Sequence, residues 1–299
     1  MPLYVRRLPG TRSRLIDKAA SKNLVCFNPS KAGPYVYIRA TEHDALYETN
    51  HILIYDETSK TLKRVPYAAA GLLVPTVNLF KGLEDLRLCM WDGRLWFTAT
   101  TTHASNHMTN EMLLGRFTAG VDAVEFLQII DVGGRPAKNV CPFVTENSLH
   151  LLDMFKSCIY KCVRAEGREH EQAQPEQWTL ECVRTLEWHA GEPDFYRGST
   201  SPVHLHGSTW GCVAHDIIFN DNTQLVTRLS YLHHWIEFDI ARGAVTFVSS
   251  PFWVAHWGVE YVSGIELDKN KHKITLYLGI MDKEAMACDT TLADLRCGK

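Results

Sequence analysis

The chain has 299 residues, of which 45% are hydrophobic and 22% charged, and its formal net charge is -3 at pH 7. A chain of this length can bury a large core, and all-β folds of this size often form one domain. The small net charge gives no electrostatic reason to expect nucleic acid or an anionic membrane as a partner. We therefore expect a single domain that binds neither.

The N-terminal segment and the cysteines predict a cytoplasmic location. The first residues, MPLYVRRLPGTRSRL, carry positive charge but lack the apolar run of about 7–15 residues found in a signal peptide. No window approaches the roughly 20 apolar residues of a membrane helix. The nine cysteines lack paired zinc spacing. We interpret them as buried thiols in a reducing cytosol and expect no metal and no other cofactor.

The hydrophobic periodicity along the chain is mostly two, which is typical of β-strands. In chain order the strand-like runs are YVYIRA (35–40), HILIYD (51–56), RLWFTAT (94–100), LHLLDMF (149–155), CIYKCV (158–163), WGCVAHDIIF (210–219), YLHHWIEFD (231–239), AVTFVSS (244–250) and KITLYLGI (273–280). Short helices are expected only near 13–20 and 105–115. A charged segment, 164–194, is interpreted as a variable solvated insert. Neither GxGxxG nor GxxxxGK[ST] occurs, which disfavours a nucleotide-binding α/β sheet.

The sequence also repeats at a long period. Five units share a polar start, a first strand, a turn and a second, more hydrophobic strand, and they begin near Asn28, Glu84, Asn139, Thr200 and Glu260. The steps between these anchors are 56, 55, 61 and 60 residues. This period predicts a five-bladed β-propeller, with each blade a four-stranded antiparallel sheet and all of residues 1–299 in one domain.

In such a propeller the innermost strands line a central channel, so their polar first residues meet at one end of it. Burying these groups costs free energy unless they pair or bind something. The sequence therefore predicts a shared site at this end, formed by Asn28, Glu84, Asp85, Arg87, Lys138, Asn139, Ser199, Thr200, Glu260 and Asp282. For a single one of these residues, a purely structural hydrogen bond remains an equal alternative.

Four motifs in order resemble the five-bladed propeller superfamily of β-1,2-mannoside phosphorylases. They are GLEDLR (82–87), similar to Glu-Asp-Pro-Arg, KNVCPF (138–143), WGCVAHD with YLHHWIEFD, and YLGIMDKEAMA (277–287). The resemblance is strongest to the mannosyltransferase/phosphorylases that build β-1,2-mannan reserve polymer, mannogen, in trypanosomatid parasites. It spans residues 24–287. The departures are Leu86 in place of proline, Ala137 in place of an acid, and Asp216 in place of glycine.

The resemblance implies an inverting phosphorylase or mannosyltransferase, which needs one carboxylic acid and a cationic phosphate pocket. It makes Asp85 the general acid, acting through a sugar hydroxyl, with Glu84 and Arg87 orienting it. It assigns mannose binding to Asn28, Arg39, Asn139, Ser199, Thr200, Glu260 and Asp282, and phosphate binding to Lys138, His215, Tyr231 and His233 or His234. Trp257 or Trp253 is a candidate stacking platform.

The implied partners are mannose, mannose-1-phosphate, inorganic phosphate and β-1,2-mannooligosaccharides, with GDP-mannose as an alternative donor. Three other functions stay open. A glycan-binding propeller could dispense with Asp85 and Lys138. An inverting glycoside hydrolase would need a second carboxylate, such as Glu260 or Asp282, opposite Asp85. A WD-type interaction scaffold is disfavoured, since Trp-Asp occurs once and the period is too long.

Overall fold

The computed structural model describes residues 5–15, 24–43, 48–67, 80–102, 110–133, 138–165, 176–188, 196–219 and 229–297. The described part is almost entirely β-structure. Its first strands are β1 (Arg6–Arg7), β2 (Thr11–Arg14), β3 (Val25–Ala32), β4 (Tyr35–His43), β5 (Glu48–Asp56), β6 (Thr61–Val65), β7 (Phe80–Lys81), β8 (Glu84–Trp91), β9 (Arg94–Thr101), β10 (Glu111–Phe117) and β11 (Val124–Ile130).

The second half continues in the same way, as alternating β-branched and aromatic runs broken by tight turns. Its elements are β12 (Cys141–Thr145), β13 (Ser148–Asp153), β14 (Cys158–Arg164), β15 (Trp178–Thr185), β16 (Arg197–Gly198), β17 (Val203–His206), β18 (Thr209–Phe219), β19 (Leu229–Asp239), β20 (Ala244–Val248), β21 (Phe252–Trp253), β22 (Glu260–Leu267), β23 (Lys273–Ile280), β24 (Glu284–Thr291) and the short helix α1 (Leu292–Arg296).

The described strands form five sheets, each with an antiparallel core of four strands. These cores are β3-β4-β5-β6, β8-β9-β10-β11, β12-β13-β14-β15, β17-β18-β19-β20 and β22-β23-β24-β2. The N-terminal strand β2 completes the last sheet by pairing with β24, and β1 pairs in parallel with β21. Segments distant in sequence thus close the fold.

The inner strands of neighbouring sheets pack against one another in order. Strand β3 contacts β8, β8 contacts β12, and β22 contacts both β17 and β3. The first two strands of a sheet are joined by tight turns, such as Asp92-Gly93, where both residues have positive φ (48° and 67°). Such turns match the twist of the flanking strands. The predicted all-β, propeller-like fold is confirmed.

The core lies between the sheets, where each buries apolar side chains against the next. Trp235 on β19 is fully buried and packs flat against Gly211 on β18, where a Cβ would lie 2.2 Å from a ring carbon. The ring nitrogen of Trp235 donates a hydrogen bond of 2.7 Å to Glu237. Glycine at position 211 therefore makes room for the largest side chain of this cluster.

Several local predictions are wrong. Residues 13–14 lie in β2 and 111–115 lie in β10, so those parts of the predicted helices are strands, while 16–20 and 105–109 lie outside the described residues. The segment 164–194, interpreted as a solvated hairpin extension or loop, contains β15, which forms an exposed antiparallel hairpin with β14. Most side chains of β15 are exposed because it is the outermost strand of its sheet, and its polar sequence therefore looks like a loop.

The cysteine interpretation is also wrong in part. Cys158 and Cys182 form a disulfide between β14 and β15, and Cys297 is exposed, while the other six cysteines are buried and free. Strands β14 and β15 lie side by side at the outer edge of a sheet, which brings the two sulfur atoms together. No helix in the described part of the chain is both long enough and apolar enough to cross a membrane.

Candidate functional site

A cavity of about 170 Å³ lies at the end of the sheets where the inner strands begin. The prediction that polar residues at the starts of different sheets meet there holds for five of those ten residues, and three other predicted ligands, Arg39, His215 and Tyr231, also line it. The cavity is lined by Asn28, Arg39, Asp85, Lys138, Asn139, Arg197, His215, Ile217, Tyr231, Tyr261 and Asp282. We call it the entrance cavity.

Four of these side chains project from backbone in the left-handed region. The φ angles are 46° at Asn28, 52° at Asp85, 64° at Asn139 and 51° at Asp282. The strand register shifts at Asn28 and at Asp85, as in a β-bulge. Bulges re-aim a side chain, and Asn and Asp adopt this conformation more readily than other non-glycine residues. The sequence thus supplies the two residue types that the entrance geometry favours.

The backbone at position 279 lies close against Asn28. A Cβ on Gly279 would lie 2.1 Å from the side-chain oxygen of Asn28. Position 279 therefore accepts only glycine unless Asn28 moves.

Asp85 is buried and lies among cations. The side-chain nitrogen of Asn28 donates to its carboxylate at 2.9 Å, and the guanidinium of Arg39 lies 3.1 Å from the same oxygen. Burial opposes ionisation, but the charges of Arg39, Arg87 and Lys138 outweigh it and hold the pKa of Asp85 well below its usual range. Asp85 is therefore a carboxylate at neutral pH.

Arg39 is fixed from several sides. Its Nε donates to Asn50 at 2.7 Å, and its Nη2 lies 3.0 Å from Glu48. Its remaining nitrogen, Nη1, lies between Asp85 and Glu84, which is 3.4 Å away. A guanidinium held in this way contributes a fixed positive charge to one wall of the cavity.

Arg87 lies beneath the cavity and connects three sheets. Its Nε donates to the backbone oxygen of Ser199 at 2.5 Å, its Nη1 to the backbone oxygen of Asp85 at 2.8 Å, and its Nη2 to the hydroxyl of Tyr261. The Tyr261 hydroxyl in turn donates to Asn139 at 2.9 Å. Arg87 therefore orients the lining residues rather than contacting a ligand.

The opposite wall is built around His215. Its Nδ1 lies 2.8 Å from the hydroxyl of Ser199, and its ring packs edge-on against Tyr261 and Tyr231, at 5.0 and 5.4 Å between centroids. Burial, followed by the nearby His233 and Arg197, holds the pKa of His215 well below its usual value. The imidazole is neutral at pH 7, so it offers a hydrogen bond without a charge.

Two further cations complete this wall. Arg197 on β16 is the cross-strand partner of His215, and Lys138 precedes β12. Within the described residues neither side chain forms an ion pair. Cationic donors without a carboxylate partner suit a phosphoryl group. The rim carboxylate, Asp282, is exposed, so solvent screens the rise in its pKa that partial burial and Asp85 produce.

Seven predicted site residues do not line the entrance cavity. Glu84 contacts Arg39, and burial raises its pKa. Ser199 holds His215, and the Thr200 hydroxyl accepts from the backbone nitrogen of Val213 at 3.0 Å. Arg87 has been described above. The others are Glu260, His233 and His234.

Glu260, predicted to bind sugar, is fully buried and accepts hydrogen bonds from the backbone nitrogens of Val254, Ala255 and His256 at 2.6, 2.5 and 2.8 Å. Its carboxylate is engaged in folding the loop before β22. The geometry therefore contradicts the predicted role in sugar binding.

His233 and His234, the predicted phosphate ligands, also lie away from the cavity. His233 is fully buried 3.6 Å from Glu260, and burial lowers its pKa to about 3. The Nδ1 of His234 lies 3.2 Å from the backbone oxygen of Ser249, and its ring packs on Tyr196. His233 and His234 point to opposite faces of β19, as successive residues of a strand do. Neither side chain lines the cavity, which β19 reaches only at Tyr231.

The two candidate tryptophans occupy different positions. Trp257 is 39% exposed, in the loop whose Gly258 backbone oxygen accepts from the nitrogen of Tyr231, so it lies near the rim. Trp253 packs against Arg7, with the guanidinium carbon 5.1 Å from the ring centroid. Of the two, only Trp257 is placed to extend the cavity.

Sequence reasoning missed Arg197, Tyr261 and Ile217. A signal was available for two of them, since Arg197 lies two residues before Ser199 and Tyr261 directly follows the anchor Glu260. Among the described residues no group of three or more potential metal ligands is close enough to hold an ion.

No protein-family model matches the chain, and no curated protein is significantly similar to it in sequence. Solved structures do resemble it. A GDP-Man-dependent mannosyltransferase from Leishmania mexicana superposes with a TM-score of 0.60 at 12% identity, covering 97% of this chain and 92% of its own. A mannose phosphorylase from the same organism, solved with a phosphate ion, has a TM-score of 0.59 at 13% identity, covering 99% and 91%.

A β-1,2-mannobiose phosphorylase from Listeria innocua, solved with β-1,2-mannobiose, has a TM-score of 0.56 at 12% identity and covers 99% of this chain and 98% of its own. The likeness therefore extends over nearly the whole of all three proteins. At such low identity it establishes a shared fold.

Proposed function

We propose that the chain is a carbohydrate-active enzyme that transfers mannose to or from β-1,2-mannosides, with mannose-1-phosphate, and alternatively GDP-mannose, as donor. The observation that carries the proposal is the composition of the entrance cavity. An ionised carboxylate, Asp85, shares a cavity of about 170 Å³ with two cations, Lys138 and Arg197, that lack an ion pair among the described residues. The solved structures of similar fold act on mannose, which supports this substrate class.

The proposed architecture is a propeller of five blades. Its support is the five antiparallel sheets, the ordered contacts between their inner strands, and the five anchors at near-constant spacing. Residues at these blade starts, or within three positions of them, then surround one cavity, which explains why distant polar residues converge there.

In the synthetic direction the phosphoryl group would lie against Lys138, Arg197, His215 and Tyr231. The sugar would lie against Asn28, Arg39, Asn139 and Asp282. The acceptor hydroxyl oxygen bonds to C1 of mannose as the C1–O bond to phosphate breaks, and phosphate leaves with the bonding electrons. The hydroxyl proton passes to Asp85, directly or through a mannose hydroxyl.

The charge state of Asp85 refines the role predicted from sequence. A general acid must carry a proton, whereas the cations around Asp85 favour its ionised form. The resting carboxylate therefore has the charge state that accepting a proton in synthesis requires, although its low pKa makes it a weak base. Phosphorolysis runs through the same transition state and uses the protonated form, so Asp85 remains the proposed proton-transfer group in both directions.

A second candidate is an inverting hydrolase, favoured by the presence of Asp282 in the same cavity as Asp85. Such an enzyme would use one carboxylate to activate water. It has no need of two unpaired cations, so we rank it second.

The proposal is tested by incubating the purified protein with mannose, adding mannose-1-phosphate or GDP-mannose, and separating the products by chromatography. We expect a mannobiose and an equal amount of released phosphate from mannose-1-phosphate. If product forms with GDP-mannose but not with mannose-1-phosphate, the donor is GDP-mannose. No product from either donor would overturn the proposed transferase, and free mannose alone would favour the hydrolase.

A further inference from the structure

A second cavity lies at the other end of the sheets. It has a volume of about 880 Å³ and is lined by the sheets β12–β15 and β17–β20. The hairpin turns that follow β12 and β17 contribute Glu146 and Gly207 to it. The entrance cavity lies at the opposite ends of these sheets, beside Asn139. We call the second cavity the hairpin groove.

The floor of the hairpin groove is a row of rings. Centroid distances are 5.7 Å between His150 and Phe143, 5.1 Å between Phe143 and Trp210, and 5.2 Å between Trp210 and His204. His150, Trp210 and His204 line the groove, while Phe143 packs between the first two from below. His150 and Trp210 are 7% and 8% exposed, so each presents a small part of its ring to the groove, where it can meet an apolar C–H face of a ligand.

Backbone carbonyls fix the two imidazoles. The Nδ1 of His150 lies 3.0 Å from the backbone oxygen of Ser148, and the Nε2 of His204 lies 2.9 Å from that of Gly207. Because a carbonyl can only accept, each of these nitrogens carries the proton. In a neutral ring the other nitrogen is a hydrogen-bond acceptor. Burial lowers the pKa of His150, so this ring remains neutral.

Donors lie beside these acceptors. Lys161 on β14 and Arg184 on β15 line the groove, and within the described residues neither has an ion pair or side-chain hydrogen bond. The indole N–H of Trp210 likewise has no acceptor in the described part of the chain. Glu146 supplies a carboxylate at the turn. Donors and acceptors are thus interspersed above an aromatic floor.

This arrangement matches a polyhydroxylated ligand. Each sugar hydroxyl both donates and accepts, and the ring carbons offer a C–H face to an aromatic side chain. A phosphate would meet the cations Lys161 and Arg184, but it would also face the unprotonated nitrogen of His150 and the carboxylate of Glu146, which disfavour an anion. The groove volume of about 880 Å³ lies within the roughly 300–1,000 Å³ of ligand pockets.

We propose that the hairpin groove is a second, non-catalytic site that binds an oligosaccharide chain. That the chain is a β-1,2-mannoside rests on the proposed function. Bound there, a long mannoside is held on the protein while its end, or another chain, occupies the entrance cavity, which raises the effective concentration of acceptor.

The test is a calorimetric titration with β-1,2-mannotetraose. The variant combines His204→Ala and Lys161→Ala, which remove an acceptor and a donor of the groove without touching the entrance cavity. The matched control is His206→Ala, since His206 is an exposed histidine on the same strand that does not line the groove. We expect two sites per chain in the wild type and the control. In the double variant the second site should weaken by about tenfold or more.

Turnover with mannose as acceptor should be unchanged in the double variant, and an unchanged melting temperature shows that it folds. If the entrance cavity binds no mannoside, the wild type shows a single site and the double variant loses it. This result would contradict the proposed function while supporting the groove, so the two failures can be told apart. Equal binding by wild type and double variant, or no binding of the tetraose at all, overturns the groove proposal. Groove-dependent binding of inorganic phosphate alone overturns the sugar class.

Discussion

At the entrance end of the sheets, Asn28 and Arg39 enclose the buried carboxylate of Asp85, whereas at the hairpin end the carboxylate of Glu146 lies exposed at a turn. Both ends also carry cations that have no ion pair among the described residues. The entrance cavity is small, strained and charged. The hairpin groove is large and holds imidazole rings fixed by backbone carbonyls. Fixed charges in a buried site stabilise developing charge in a reaction, while a groove that intersperses hydrogen-bond donors and acceptors serves recognition.

The largest effect on turnover is expected from a substitution of Asp85, and this substitution tests the difference between the two cavities most strongly. Asp85→Asn keeps the size of the side chain but removes the group that exchanges a proton. Synthesis and phosphorolysis should both fall by about 10²–10⁴-fold, since they share one transition state. Turnover and melting temperature are measured on one preparation, with the surface variant Asp289→Asn as control. Retained turnover in a destabilised protein would show that Asp85 only closes the fold.

The second largest effect is expected from removing the unpaired cations of the entrance cavity, Lys138 and Arg197. Lys138→Ala and Arg197→Ala each remove a charge-assisted hydrogen bond of about 1.5–3 kcal/mol. The phosphate concentration needed for half-maximal phosphorolysis should rise roughly 10- to 150-fold, with little change in the affinity for mannoside. Arg94→Ala, which removes a surface partner of Glu125, is the matched control. Unchanged phosphate dependence in both cavity variants would remove the phosphate assignment.

Glu260 tests whether the buried carboxylates differ in role. Glu260→Gln places an amide group where the backbone nitrogens of Val254, Ala255 and His256 need an acceptor. Unfolding free energy should fall by about 1–3 kcal/mol, while turnover per folded molecule remains within a few fold. Urea unfolding and steady-state assays measure the two effects. A large loss of turnover without destabilisation would restore the sugar-binding role predicted from sequence.

The smallest effect concerns pH. The pKa of Asp85 in the folded protein lies below its value of about 3.9 in the unfolded chain. Its ionised form therefore stabilises the fold above about pH 4, and this contribution is lost as the pH falls through the folded pKa. The difference in unfolding free energy between wild type and Asp85→Asn should be constant from pH 8 to about 5 and shrink below. A difference that grows on acidification would contradict the low pKa.

The sequence predicted some residues of the entrance cavity correctly and misplaced Glu260, although all of them follow the same repeat. Asn28, Asp85 and Asn139 were predictable because a repeat of polar strand starts places them at one end of the sheets, and both residue types tolerate left-handed backbone. Glu260 follows the same repeat, but its side chain points towards residues 254–256 and accepts hydrogen bonds from their backbone nitrogens. No spacing argument distinguishes a carboxylate that faces the cavity from one that caps backbone nitrogens.

Other misses have equally local causes. Tyr261 was overlooked because the anchor was assigned to the preceding residue, and one position on a strand reverses the face. The polar sequence of β15 resembles a loop because only one strand lies beside it. The hairpin groove had no sequence signal, since His150, His204 and Trp210 come from strands of two sheets that meet only in the folded protein.

The most direct test of the central claim, that Asp85 and the neighbouring cations transfer mannose to or from phosphate, is the breakdown of β-1,2-mannobiose with and without inorganic phosphate. Products are quantified by chromatography, with Asp85→Asn as the blank. The account predicts mannose and mannose-1-phosphate in equal amounts when phosphate is present, and no cleavage without it. Release of two mannoses per disaccharide in phosphate-free buffer would contradict the account and identify a hydrolase.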